Sequence, residues 1–351
     1  MKIALVSFKF APGHTEHLCA FYEMFNEMGH DVTLFVNPKY KSFITGIKNI
    51  HFVKDKMEIF SEKPDLVFIY NAAIANMSLT RYGHKQGIRI VYLLHEPNQK
   101  VSDLILEGKN VIKMLGAEVI NSITCFYSNK VLLASNQGMK EYEARMLKFN
   151  KNHDLFPLIF CDEYCQRKDF KREYFSFIGS FSSSHAGMEF LNFMKYALLQ
   201  DKNIRFMIAT RSSISSLLKE EIFEDAIRKG RIVIHEGRPM TENEINKYYR
   251  QSICVWNAYN RSTQSGVLPN ALMQGTPVIV NSRGVAKEVI SDGVEGCFIT
   301  MPQKNEEILE KFKYIKEHLE QMSDTARKLF LREYFYKTKK DLAEKVIIHG
   351  N

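Results

Sequence analysis

The strongest constraint on this chain is a rhythm in which short, unbroken apolar runs alternate with longer stretches of helical periodicity. Lys2-Ile-Ala-Leu-Val-Ser-Phe8 opens it, bounded by a Pro-Gly turn. A continuous apolar run reads as a strand buried on both faces, as in a parallel sheet. Residues 15–29 then place Leu18, Phe21, Met24, Phe25 and Met28 on one helical stripe, with Thr15 as N-cap and Gly29 as stop. Further strands are predicted near 31–36, 65–70, 89–95 and 130–135, and helices near 72–86, 103–120 and 137–148. Strand–helix alternation of this kind implies right-handed crossovers in a doubly wound sheet.

Between 149 and 173 the rhythm breaks into a charged, irregular stretch, and it restarts at Tyr174-Phe-Ser-Phe-Ile-Gly179. Strands are then expected near 204–209, 232–236, 253–256, 277–281 and 297–299, and helices near 186–199, 213–228, 241–250, 266–274 and 304–320. The expected architecture is α/β, with two Rossmann-like domains facing across a cleft. The first spans 1–160 and the second 170–331, and a C-terminal helix about 332–351 packs back on the first. Ligands in such sheets bind at the carboxyl ends of the strands, so candidate residues lie just after strands and the cleft is the expected site.

Composition and motifs exclude several functions. A chain of 351 residues suits two domains rather than one. No run of 18 apolar residues occurs, and residues 2–8 are too short and too soon charged for a signal peptide. Cys19, Cys125, Cys161, Cys165, Cys254 and Cys297 are too scattered for a secreted disulfide scaffold, so a reducing cytoplasm is expected. The net charge of +8 suits an anionic partner without choosing among nucleotide, lipid surface and nucleic acid. G-x-G-x-x-G, the P-loop and G-x-S-x-G are all absent, which removes the usual nicotinamide or flavin, ATPase and hydrolase sites. No Asp-x-Asp pair exists, and Cys161-x-x-x-Cys165 near His153 lacks a four-ligand zinc set, so no metal is expected. No helix-turn-helix or aromatic–basic module accompanies the charge, so nucleic acid is not an expected partner.

The informative stretch runs from Asn260 to Gly293. Ala271, Gly275, Pro277, Val278, Ile279, Gly284, Glu288, Ile290, Asp292 and Gly293 fall into the pattern E-A-M-A-x-G-x-P-V-I followed by G-G-x-x-E-x-I-x-D-G. That pattern resembles the donor-site signature of glycosyltransferase family 4, retaining enzymes of GT-B fold that commonly build bacterial surface polysaccharides. The physics of the stretch agrees. Ser265, Gly266, Val267 and Leu268 sit at a predicted helix start, where free N–H groups suit a diphosphate and Gly266 permits close backbone approach. The same Ser265 is also an ordinary helix cap.

The resemblance extends to Gly179-Ser-Phe-Ser-Ser-Ser-His-Ala-Gly187. There the family's diphosphate-gripping Arg and Lys are replaced by Ser180 and by His185 or Ala186. The two Glu of the family's E-x7-E correspond to Ser262 and Asn270, and Asn270 can still accept a ribose hydroxyl hydrogen bond. Arg261, Arg211 and Arg238, at or near strand ends, are candidates for the missing cation. In the first half, Tyr92-Leu-Leu-His-Glu-Pro97 ends a strand and is similar to the family's strand-end His that reaches the sugar. His95, with Glu96 beside it, is therefore the expected catalytic position together with Arg261. Gly13 matches the family's glycine-rich first loop, and Ser135 its strand-end Ser, although Ser135 reads equally as a helix cap.

The resemblance implies metal-free transfer, with retention, of a sugar from a UDP- or GDP-linked donor to a glycan or lipid-linked acceptor, without a resident cofactor. The alternative is a GT-B protein that has lost catalysis and acts as a binding or partner subunit, since four charged positions are replaced. Lys100–Leu115, with Lys100, Lys109 and Lys113 among apolar residues, suits peripheral contact with an anionic membrane at its inner face, and equally an ordinary amphipathic helix.

Overall fold

The computed structural model describes residues 1–44, 46–95, 97, 111–164, 170–260, 265–302 and 304–350. Two compact units emerge. One joins Met1–Cys161 to Tyr334–Asn351, and the other is Asp162–Glu333.

The first unit is built on seven parallel strands: β1 (Lys2–Ser7), β2 (Asp31–Val36), β3 (Ile50–Phe52), β4 (Leu66–Ile69), β5 (Arg89–Leu94), β6 (Lys130–Leu133) and β7 (His153–Leu155). Their order is β3-β2-β1-β4-β5-β6-β7, with Ile3 paired to both Val32 and Leu66. The connections reverse direction between β1 and β4, and that switch point opens a crevice at the carboxyl edge. Alternate residues of each strand feed different cores. Ile3 and Leu5 pack with Phe21, Phe25 and the C-terminal Ile347, while Ala4 and Val6 pack with Leu79, Cys125 and Tyr142. The helices are α1 (Thr15–Glu27), α2 (Ile74–Lys85), α3 (Val111–Tyr127) and α4 (Asn136–Arg145). Gly29 ends the first turn sequence at φ +83°, a left-handed conformation that favours glycine.

The C-terminal residues belong to this unit. Glu27 on α1 accepts hydrogen bonds from Tyr336 Oη at 2.7 Å and pairs with Lys337 at 3.1 Å and with Lys340. The Arg89 guanidinium donates to the carbonyls of Ile348 and Gly350.

The second unit carries six parallel strands: β8 (Tyr174–Ile178), β9 (Phe206–Ala209), β10 (Ile232–His235), β11 (Ser252–Asn257), β12 (Val278–Asn281) and β13 (Gly296–Ile299), in the order β10-β9-β8-β11-β12-β13. Its helices are α5 (Gly187–Gln200), α6 (Glu221–Arg228), α7 (Glu242–Gln251), α8 (Val267–Met273), α9 (Asn305–Glu317) and α10 (Leu319–Glu333). The core is aromatic, with Trp256, Phe175, Phe190, Phe206 and Phe312 packed together. Thr241 and Glu244 form a capping box that starts α7.

The fold departs from the sequence reading in five places. The helix expected over about 332–351 is not continuous, since Tyr336–Lys339 is a 3-10 turn, Lys340–Ala343 a single α turn and Glu344–Ile348 a π turn. The short edge strand β7 lies in the stretch read as irregular and β3 in one given no element; three-residue strands are too short to show a pattern. The helix expected over 213–228 splits, because the Glu236 carboxylate accepts the N–H groups of Ile214 at 2.5 Å and Ser215 at 3.1 Å and holds that stretch as a loop. The helix read over 304–320 ends at Glu317, and a second one follows from Leu319. The helix read over 103–120 continues to Tyr127, and residues 103–110 lie outside the described ones.

Candidate functional site

In the second unit, the loops that follow β8 and β11 meet at the carboxyl edge. β8 passes into Gly179 at φ +128°, where an added Cβ would stand 3.2 Å from Val267 Cγ2. Glycine is required there on both counts, and the contact sets the first loop against the start of α8. Asn260 stitches the loops together. Its N–H donates to Ser184 O at 2.9 Å, and its amide donates to Ser183 O and Glu189 Oε1, each at 2.9 Å.

His185 lies within this loop. Its Nδ1 donates to Ser180 O at 2.7 Å, which fixes the orientation of the ring. Its ring lies 4.3 Å from that of Tyr259. Burial raises the Tyr259 hydroxyl to about 12, so it stays protonated beside Ser265 and Asn257. Ser265 Oγ accepts from Val267 N–H at 3.2 Å, so Val267 N–H is already engaged, while the N-cap position of α8 is Gly266 rather than Ser265. Gly266 precedes α8 at φ −69°, and among the described residues nothing lies within 4 Å of an added Cβ. Backbone conformation does not require glycine there. Leu268 is buried, Asn270 is half-buried in α8, and Glu288 is exposed at the end of the short helix Val285–Glu288 after β12. Beside Asn260 opens a hollow of about 500 Å³, of mixed polar and apolar lining, formed by Glu189, Asn192, Asn260, Met301, Pro302 and Asn305.

The candidate cations fare differently. Arg261 and Glu96 lie outside the described residues. Arg211 is exposed just past β9. Arg238 has its guanidinium occupied by Glu244, with one bond at 3.1 Å and a second shorter one, and Glu244 is held down to about 2 chiefly by that partner. A phosphate would have to displace a carboxylate to reach Arg238.

Sequence reading missed Arg172, which sits in the charged linker. It is half-buried and donates to Ser252 O at 2.8 Å, Thr276 Oγ1 at 2.7 Å, Gln274 O at 2.7 Å and Gly275 O at 3.0 Å. No carboxylate faces it among these partners, and burial lowers its pKa to about 10. The guanidinium closes the C-terminal end of α8 and thereby holds the helix that begins at Val267. Nothing in its sequence context distinguishes it from the neighbouring solvated Lys and Arg.

In the first unit, the ends of β1, β4 and β5 bring together His14, His17, Tyr70 and His95. The rings of His14 and His95 stack 5.2 Å apart at 5°, and Tyr70 stands edge-on to His95 at 4.5 Å. His95 Nε2 lies 2.6 Å from Tyr70 O, and His17 Nδ1 3.0 Å from Ile159 O. Each is a donor to a carbonyl, which fixes the tautomer of the neutral ring. Burial lowers His14 to about 4 and His17 to about 3, so both are neutral imidazoles at pH 7. Among the described residues, His14 Nδ1 and Tyr70 Oη are buried without hydrogen-bond partners. Gly13 is exposed next to this cluster, in the short helix Pro12–His14. Ser135 Oγ accepts Gly138 N–H at 3.0 Å and caps α4, the second of its two readings. The sequence signal that would have found the cluster is the His14-x-x-His17 spacing, which puts two imidazoles on one helical face directly after a buried strand.

Among the described residues, no group of three or more His, Cys, Asp or Glu could hold a metal ion. Residues 172–317 match the family described as glycosyl transferases group 1. No curated protein matches the sequence significantly. Among solved structures, the chain is similar to Anabaena Alr3699/HepE in complex with UDP, at 12% identity and a TM-score of 0.69 over 98% of this chain and 99% of that one. It is also similar to the catalytic domain of starch synthase IV from Arabidopsis thaliana bound to ADP and acarbose, at 10% identity and a TM-score of 0.70 over 99% of both. WaaG, a glycosyltransferase involved in lipopolysaccharide biosynthesis, aligns at 12% identity and a TM-score of 0.63 over 98% of this chain and 99% of that one. Residues 172–317 are thus a glycosyl transferases group 1 match within a chain whose two parallel sheets have the fold of the GT-B glycosyltransferases.

Proposed function

We propose that this protein is a retaining glycosyltransferase that moves a hexosyl group from a UDP- or GDP-linked donor to a glycan or lipid-linked acceptor in surface polysaccharide synthesis. It works in the cytoplasm, peripherally at the inner face of the membrane, without metal or resident cofactor. The observation that carries this reading is the pair of loops after β8 and β11, stitched by Asn260 inside the matched span 172–317. Its relatives in fold support the donor class, one being solved with UDP and another with ADP.

In this reading Ser180, His185, Ser265, Gly266, Val267, Leu268 and Asn270 face the donor, with Arg261, Arg211 and Arg238 as sources of charge. The hollow beside Asn260 offers amides and the Glu189 carboxylate to sugar hydroxyls. The acceptor oxygen attacks the anomeric carbon as its bond to the diphosphate breaks. The proton passes to the departing phosphate oxygen, and N–H groups and cations stabilise the charge that develops there. His95, with Glu96 beside it, contributes to turnover rather than to nucleotide binding.

Calorimetric titration with UDP, GDP and their sugars, followed by donor-dependent turnover on a lipid-linked acceptor, tests the reading. Nucleotide binding with turnover is expected. A second reading, a non-catalytic partner subunit, is favoured by the engagement of Arg238 with Glu244 and by the uncharged Ser180. The absence of any nucleotide binding would select it.

A further inference from the structure

α3 turns an apolar stripe outward. Its buried residues are Cys125 together with the polar Asn121, Ser122 and Thr124, whereas Ile112 is 87% exposed, Phe126 60%, Val119 55% and Leu115 43%. At about 100° per residue, these four apolar positions fall within about 60° of one another, on a ridge about 21 Å long. The arrangement is not a misfit, because the inward Asn121 and Thr124 have hydrogen-bond partners. Tyr92 Oη donates to Asn121 Oδ1 at 2.9 Å, Thr124 Oγ1 to Ile120 O at 2.7 Å, and Ser128 Oγ to Thr124 O at 2.7 Å. An apolar stripe of this size turned outward on a helix whose polar groups face the core marks an interaction surface.

The neighbouring α2 extends the surface. Ile74 is 72% exposed and Tyr82 38%, and the His84 ring lies 5.6 Å from that of Tyr127, tying the two helix ends together. The charge of the flank is one-sided. α2 carries Arg81, His84 and Lys85 with no carboxylate, and the only acidic residue of α3 is Glu118. A convex apolar ridge beside basic residues suits a lipid surface with anionic headgroups, where apolar side chains enter the acyl boundary and cations meet phosphate. No helix among the described residues is long and apolar enough to cross a membrane, so α3 would lie along the interface.

We propose that the face formed by α2 and α3 is a docking surface for an anionic membrane, with Ile112, Leu115, Val119 and Phe126 as its apolar anchors. The proposal deepens the reading of a membrane-peripheral enzyme with a lipid-linked acceptor, and rests on it only for its purpose. Cosedimentation needs no donor or turnover, so a failure of the glycosyltransferase reading shows in the titration and a failure of this one in the vesicles. The probes are phosphatidylcholine vesicles with and without phosphatidylglycerol. The variants are Ile112→Ser/Val119→Ser/Phe126→Ser, and separately Phe126→Trp.

Wild type is expected to sediment with the anionic vesicles and to release at high salt. The triple variant should partition about tenfold less or weaker still, with an unchanged unfolding midpoint because the replaced side chains are exposed. The Phe126→Trp emission should shift to the blue on anionic vesicles, a signal the buried Trp256 does not give. Equal partitioning of wild type and triple variant, or no binding by wild type, overturns the proposal. So does a concentration-dependent wild-type dimer that the triple variant abolishes, which would assign the ridge to a second copy of the chain.

Discussion

Replacing Arg172 with Met tests whether one half-buried cation holds the helix on which the proposed donor site depends. The substitution keeps much of the apolar stem and removes the fork that binds Ser252 O, Gln274 O, Gly275 O and Thr276 Oγ1. Each hydrogen bond from a charged group contributes about 1.5–3 kcal/mol. The sum is not the net effect, since the guanidinium is itself desolvated, as its lowered pKa of about 10 records. Thr276 Oγ1 also keeps its bond to Tyr249 O at 2.8 Å, so the stranded groups are mainly backbone carbonyls at the end of α8. Stranding a buried acceptor costs about 1–3 kcal/mol, and with three carbonyls losing this donor the upper end of about 3 kcal/mol applies. The chain's single tryptophan, Trp256, is buried in the second unit, so its fluorescence follows that unit alone in urea. With a denaturant slope of about 2–3 kcal/mol per molar, the midpoint should fall by about 1–1.5 M. Arg172→Lys should recover only part of this, because an ammonium cannot fork between two pairs of acceptors. A loss below about 1 kcal/mol for Met, or a Lys variant equal to wild type, would refute the reasoning.

Three further outcomes are expected. Gly266→Val should leave the urea midpoint unchanged, since among the described residues nothing lies within 4 Å of the added Cβ, yet weaken nucleotide binding in calorimetry; unchanged affinity removes Gly266 from the site. His95→Ala should lower kcat with little change in affinity for free nucleotide, and full activity in that variant excludes His95 from turnover. Acid should destabilise the first unit. Glu27 is held at about 2, chiefly by Lys340 and then Tyr336, below its ordinary 4.5, so its contribution is complete above 4.5 and is lost as pH falls through 2. His17, lowered by burial to about 3, acts in the same direction between 6.5 and 3. Glu27→Gln should flatten the lower part of a pH–stability profile, and a profile identical to wild type would show that the C-terminal contacts to α1 carry no pH-dependent stability.

Local pattern determined a good deal of this protein. Strands buried on both faces must be apolar at every position, so β1, β2, β4, β8, β9 and β12 are visible as runs in the chain, and the alternation with helices entails a parallel sheet. The loop from Asn260 to Gly293 carries its family resemblance in the chain as well. Other features came only from tertiary structure. The reversal of direction between β1 and β4 gathers His14, Tyr70 and His95 from distant segments, and no local pattern encodes that meeting. Arg172 looks like any linker cation until the carbonyls at the end of α8 close around it. Arg238 looks like a free cation until Glu244 occupies it. α3 shows the limit most sharply, because periodicity reports which residues share a face and not which way the face turns. Its Asn121 and Thr124 point inward because β5 and the helix backbone supply their hydrogen bonds, and the apolar stripe is thereby left outside.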